Sequence, residues 1–118
     1  CSSWNVAASN LTLVVGTSTI KVTETGVFSG QGETFYDVEL NGSAHTITGS
    51  NTFTTLTLKA DTTQTITFTD GTTQTAATFV LTGSPSKVKT LTGSSTAGWT
   101  ITKTGGGYVG GYYIDKRE

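Results

Sequence analysis

The sequence predicts an all-β fold, a parallel β-solenoid of about five rungs in which short strands stack on their equivalents. Three observations lead there. Turn dipeptides recur as a ladder, with Thr25-Gly26, Thr48-Gly49, Asp70-Gly71 and Thr92-Gly93 following one another every 22 or 23 residues. A fixed period in that range marks stacked units, none of which buries a face alone. Each dipeptide is preceded by a β-branched residue (Ile20, Ile47, Ile66 or Val88) and followed by a short apolar segment with period two. The composition agrees. Of 118 residues, 28 are Thr, 34% are apolar, 13% are charged, none is Met and one is Pro. Thr, Val, Ile, Phe and Tyr suit a pleated, half-buried surface, and no useful length of chain carries the 3.6-residue period of a helix.

The rungs follow in order along a single domain spanning residues 1–118, each expected to hold about three short strands joined by Gly, Ser, Asn and Asp corners. Residues 1–30 supply the first, with Leu11, Leu13, Ile20, Val22 and Phe28 inward. Residues 31–52 supply the second, with Phe35, Val38, Leu40 and Ile47 inward, joined by Phe53. Leu56, Leu58, Ile66 and Phe68 mark the third, and Phe79, Leu81, Val88 and Leu91 the fourth. Trp99, Ile101, Val109, Tyr113 and Ile114 begin a fifth. Inward positions follow from the alternation of side chains across a strand. The ladder predicts one buried column of Ile20, Ile47, Ile66 and Val88, and one corner column of Gly26, Gly49, Gly71 and Gly93. The competing architecture is an antiparallel β-sandwich, with Asn41-Gly42 and Asp70-Gly71 as hairpin turns. The near-constant ladder favours the solenoid. No capping helix is expected, so the ends are read as open and the chain as a segment or a stacking subunit.

Several segments resemble the repeats of Thr/Gly-rich β-helix proteins of bacterial surfaces and phage fibres. They are Asn10-Leu11-Thr12-Leu13, Gly16 to Val22, Asn51 to Leu58, Thr63 to Gln74 and Gly93 to Ile101. The resemblance covers most of residues 4–104. It implies a right-handed parallel β-helix and an extracellular, cell-surface or virion location, and it carries no catalytic motif. Tyr108 to Glu118 departs from the pattern with a Gly- and Tyr-rich strand and a charged tail.

Composition excludes several function classes. A net charge of −1 without a basic block leaves no electrostatic footprint for nucleic acid. No run of about eighteen apolar residues exists to span a membrane, and no signal peptide opens the sequence. Cys1 is the only cysteine, which rules out an internal disulfide and a cysteine-based metal site. Cys1-Ser2-Ser3 looks like the processed N-terminus of a bacterial lipoprotein, which would make the chain a lipid-anchored adhesin.

The candidate chemistry is sparse. Asp37 and Glu39 face outward on one strand about 7 Å apart, a separation that serves glycoside hydrolysis in a tailspike-like β-helix. Their plainer reading is a solvated pair near Lys59. Tyr108 and Tyr112 are candidate sugar platforms. His45, the only histidine, is expected in a partly exposed polar slot that Gln64 and Ser86 fill in other rungs. Gly105-Gly106-Gly107-Tyr108-Val109-Gly110 fits a dinucleotide-binding string but lacks the strand-turn-helix around it. Thr46-x-Thr48 and Thr65-x-Thr67 stack as outward pairs like those of ice-binding solenoids. The expected register interrupts them with Thr19 and Lys21 on one side and Lys87 and Lys89 on the other. Asn10-Leu11-Thr12 and Asn41-Gly42-Ser43 fit the N-glycosylation string, which a Thr-rich chain produces readily. No catalytic residue, metal ligand or cofactor is assigned. The expectation is a non-enzymatic segment of an extracellular filament, surface fibre or phage fibre, with itself and cell-surface glycans as partners.

Overall fold

The computed structural model describes residues 1, 3–5, 16–59, 61–81, 83–105 and 114–116. Its strands are β1 (Trp4–Asn5), β2 (Thr19–Val22), β3 (Gly26–Ser29), β4 (Thr34–Leu40), β5 (Ala44–Thr48) and β6 (Thr52–Leu58). They continue with β7 (Gln64–Phe68), β8 (Thr73–Val80), β9 (Lys89–Gly93), β10 (Thr100–Lys103) and β11 (Ile114–Lys116). There is no helix among the described residues. The odd strands form a six-stranded sheet in chain order and the even strands a five-stranded one. Every pairing between them is parallel. The chain thus passes from one sheet to the other at each corner and returns one level on. The result is a parallel β-solenoid of about 4 turns, not an antiparallel sandwich or a barrel.

The turn count and the strands per turn differ from expectation. There are about 4 turns rather than five, and each carries two strands rather than three. The missing third strand is a bend within the longer one. Along β4, β6 and β8 the inward residues are Phe35, Val38 and Leu40, then Phe53, Leu56 and Leu58, then Gln74, Ala76 and the partly buried Phe79. Two consecutive residues point away from the core between Phe35 and Val38, Phe53 and Leu56, and Ala76 and Phe79. At that level the ladder skips the pairs through Tyr36, Thr54 and Ala77. A break in the period-two alternation turns the strand and aims its second half at the other sheet.

The register also differs. On the five-stranded sheet the column runs Ile20, Val38, Leu56, Phe79, with steps of 18, 18 and 23 residues. On the six-stranded sheet it runs Phe28, Ile47, Phe68, Gly93, with steps of 19, 21 and 25. The constant turn ladder is therefore not the register, because corner lengths vary from turn to turn. Ile20, Ile47, Ile66 and Val88 do not form one column. Ile20 lies in the other sheet, Ile66 stacks between His45 and Leu91, and Val88 precedes β9. Of the expected glycine corner, Gly49 and Gly71 hold, with φ of 76° and 73° at the exit from β5 and β7. A residue with a Cβ disfavours that conformation. Gly26 and Gly93 lie within strands instead.

The core is apolar along its length. Val22, Phe28, Phe35, Val38, Leu40, Ile47, Phe53, Leu56, Leu58, Ile66, Phe68, Ala76, Leu81 and Leu91 are buried, with Trp4, Ile20, Phe79, Trp99 and Ile101 packed partly buried against them. Each fully buried large side chain contributes about 1.5–3 kcal/mol. Phe28, Phe35 and Phe53 cluster with ring centroids 5.1 to 5.9 Å apart, and Trp4 meets Phe35 edge-on at 6.3 Å. At the other end of the column Gly93 stands opposite Phe68, and the indole of Trp99 stacks on the Phe68 ring at 4.3 Å. A Cβ on Gly93 would lie 2.8 Å from Trp99 Cδ1. The glycine thus opens the place the indole fills. Leu11, Leu13, Val109 and Tyr113 lie outside the described residues, and the side chain of Ile114 is not described.

Candidate functional site

Three arrangements carry polar chemistry: the corners inside the coil and the two outer sheet faces.

Buried polar side chains line both corners, where the backbone leaves its ladder and its polar groups need partners. At the corner entering β5, β7 and β9 these are His45, Gln64 and Lys89, all buried. His45 Nε2 accepts the Gly42 N–H at 2.9 Å. Gln64 Nε2 donates to Leu40 O at 2.6 Å and Gly42 O at 2.8 Å, one turn away. Lys89 Nζ donates to Lys59 O and Thr62 O, again one turn away. Burial lowers the Lys89 pKa, and the nearby Asp61 charge opposes that. At the opposite corner Asn51 Nδ2 donates to Thr48 O, Gly49 O and Gln74 Oε1, while its Oδ1 accepts from Gly32 N. Gln74 Nε2 then reaches Gly49 O at 2.8 Å. These amides and the ammonium pin successive turns together from within.

His45 therefore differs from its expected place. It is 2% exposed, and its ladder partners are Gly26 and Ile66 rather than Gln64 or Ser86. Burial lowers its pKa below the ordinary 6.5, partly offset by the backbone of Gly42 and Gly26. With Nε2 accepting from Gly42, the neutral ring carries its proton on Nδ1.

The outer face of the six-stranded sheet is a threonine surface. Val27, Thr46, Thr67 and Thr92 form one column, and Ala44, Thr65 and Thr90 the next. The expected interruption by Lys21, Lys87 and Lys89 does not occur. Lys21 belongs to the other sheet, Lys87 to a loop, and Lys89 points inward. No charged side chain faces outward from β3, β5, β7 or β9.

The outer face of the five-stranded sheet carries charge at one end. Asp37 and Glu39 sit on β4 as expected, facing Thr19 and Lys21 of β2 and Thr55 and Thr57 of β6. Glu39 pairs with Lys21 at 3.2 Å. A hydrogen bond from the Asn41 side chain is the main cause that holds its pKa below 4.5, with Lys21 and then Lys59 adding to it. Lys59 makes its ion pair with Asp61, at 3.6 Å. The Asp37 and Glu39 pair thus contains one carboxylate held ionised by an amide hydrogen bond and two lysines, the opposite of what a general acid requires. Farther along, Thr34, Thr52, Thr75 and Thr102 form a column, with Thr73 beside Thr100.

Among the described residues no three His, Cys, Asp or Glu side chains converge to hold a metal ion, and no helix is long and apolar enough to cross a membrane. Cys1 is a free, exposed thiol. Tyr108 and Tyr112 lie outside the described residues. Sequence reasoning missed the buried polar ladder, although one signal was there. Gln64, Gln74 and Lys89 each lie two residues before an inward apolar residue, Ile66, Ala76 and Leu91 respectively. No protein-family model, curated protein or solved structure matches the chain.

Proposed function

We propose that the chain is a non-enzymatic structural segment of an extracellular fibre, of the kind found on bacterial surfaces and phage particles. The observation that carries this reading is the parallel ladder itself. Both sheets run parallel from β1 and β2 at one end to β10 and β11 at the other. A parallel edge strand offers a row of unpaired backbone donors and acceptors, which an added strand in the same orientation can take up. A further turn, whether from the same chain or a second copy, extends the ladder without changing its geometry. Stacking of identical units end to end is a heterologous contact, which grows into an open filament when the rotation does not close.

The outer faces support the same role. The threonine face along β3, β5, β7 and β9 turns no charge outward, so a neighbouring fibre meets no repulsion along those strands. The buried amides and Lys89 tie each turn to the one before, which suits a module loaded along its long axis. Sedimentation over a wide concentration range tests self-association. The reading predicts assemblies that lengthen with concentration and keep a strand repeat of about 4.8 Å along their axis. A chain that stays monomeric throughout contradicts it.

A further inference from the structure

The corner between β4 and β5 holds the dipeptide Asn41-Gly42, which the fold does not use as a hairpin turn. Gly42 is buried there because the corner packs on the turn before it. A Cβ at this position would lie 2.3 Å from the carbonyl carbon of Glu24 and 2.5 Å from Thr25 N. The packing therefore demands glycine, and glycine after asparagine leaves the backbone nitrogen sterically free to attack the asparagine side chain. That same nitrogen donates its proton to His45 Nε2 at 2.9 Å. A base in hydrogen-bond reach of the proton on an attacking atom is the geometry of general base catalysis. The Asn41 Oδ1 accepts no hydrogen bond.

We propose that Asn41-Gly42 is a self-modification site, at which His45 acts as general base for succinimide formation and deamidation of Asn41. Gly42 N passes its proton to His45 Nε2 and forms a bond to Asn41 Cγ. The tetrahedral carbon then expels the side-chain nitrogen, which takes up a proton from the imidazolium through solvent and leaves as ammonia. Water opens the ring at either carbonyl and yields aspartate or isoaspartate at position 41. One water is consumed and one ammonia released, and nothing is oxidised or reduced.

The product alters the seam between the first two turns. A carboxylate at position 41 replaces the amide that donates to Glu39, and sets a second negative charge beside it. Isoaspartate adds a methylene to the backbone of a corner already in contact with Glu24 and Thr25. It also displaces Gly42 O, which accepts from Gln64. On the fibre reading proposed above, the site works as a clock on the age of a subunit.

Burial favours the neutral His45 ring. The charged groups around the corner are Glu39 on β4, Lys21 on β2, Lys59 after β6 and Glu24 on the facing corner, while β7 presents the neutral Gln64. The native chain and His45→Gln are incubated at a series of pH values in heavy-oxygen water, with folding followed by circular dichroism. Peptide mass mapping then reads oxygen incorporation at residue 41. The proposal expects Asp and isoAsp at 41 in the folded native chain, with a rate that falls as His45 is protonated and levels off above its pKa. It expects a rate lower by about tenfold or more in the variant. An intact Asn41, or a variant that reacts as fast or faster, overturns it. Should the variant fail to fold, the native pH profile decides, since a rate proportional to hydroxide through the His45 range also overturns the role of the base.

Discussion

Ile66 is fully buried, stacked between His45 and Leu91, so its side chain has no contact with water. Ile66→Ala is expected to cost about 2–5 kcal/mol in urea unfolding, and Ile66→Asp to abolish the fold, because an unpaired charge would be buried. Ile20→Ala, on the half-buried β2 that ends its sheet among the described residues, costs clearly less. His45 gives stability a pH dependence whose sign follows from burial. Its pKa is lower folded than unfolded, so the fold binds fewer protons there. The contribution of the neutral ring is complete above about 6.5. It is lost as pH falls from there through the folded value. Melting temperatures of the native chain are expected to drop across that window, and those of a folded His45→Asn or His45→Gln variant to change less. At this scale the sequence was readable wherever period two was obeyed by apolar residues. Most of the expected inward residues that the structure describes are buried. Inward Asn51, Gln64, Gln74 and Lys89 were not, because a polar residue in a Thr-rich chain looks the same whether it faces a buried carbonyl or water.

The strands are simple, and their joints carry the specificity. Lys89 satisfies the carbonyls of Lys59 and Thr62, which have left the ladder. Lys89→Met keeps most of the volume and removes the donor, at an expected cost of about 1–3 kcal/mol in chemical unfolding for each carbonyl left unpaired. At Gly93 a Cβ would press on Trp99 Cδ1 at 2.8 Å and Asp70 Oδ1 at 2.9 Å. Gly93→Ala is expected to lose about 1–3 kcal/mol and to shift tryptophan emission toward that of an exposed indole. An unchanged spectrum would show that the indole does not stack on Phe68. The strands themselves were legible, including the three apolar pieces of each turn. They were counted as three because the bend at Tyr36, Thr54 and Ala77 separates two inward runs just as a turn would. The column assignment failed for a related reason. Register depends on corner length, and corners of unequal length leave Thr-Gly and Asp-Gly pairs regularly spaced in sequence while their levels drift.

Over the whole molecule the strands add up to a structure whose contacts are mostly between neighbouring turns. Stability in such a stack is close to a sum of turns and their interfaces, so damage at one corner is expected to open the turns beside it first. The solenoid was legible in the repeat, whereas the outer faces were not, since a wrong register placed lysines on a surface that is in fact threonine. Both the fibre reading and the chemistry of the Asn41 corner depend on the parallel register. Nuclear Overhauser contacts between side chains test it most directly. The structure predicts a chain of contacts from Phe28 through Ile47 to Phe68, with Ile66 touching Leu91 and Trp99 covering Phe68. Contacts linking Ile20, Ile47, Ile66 and Val88 in one column, or the short Hα–Hα contacts of antiparallel strands, would contradict it.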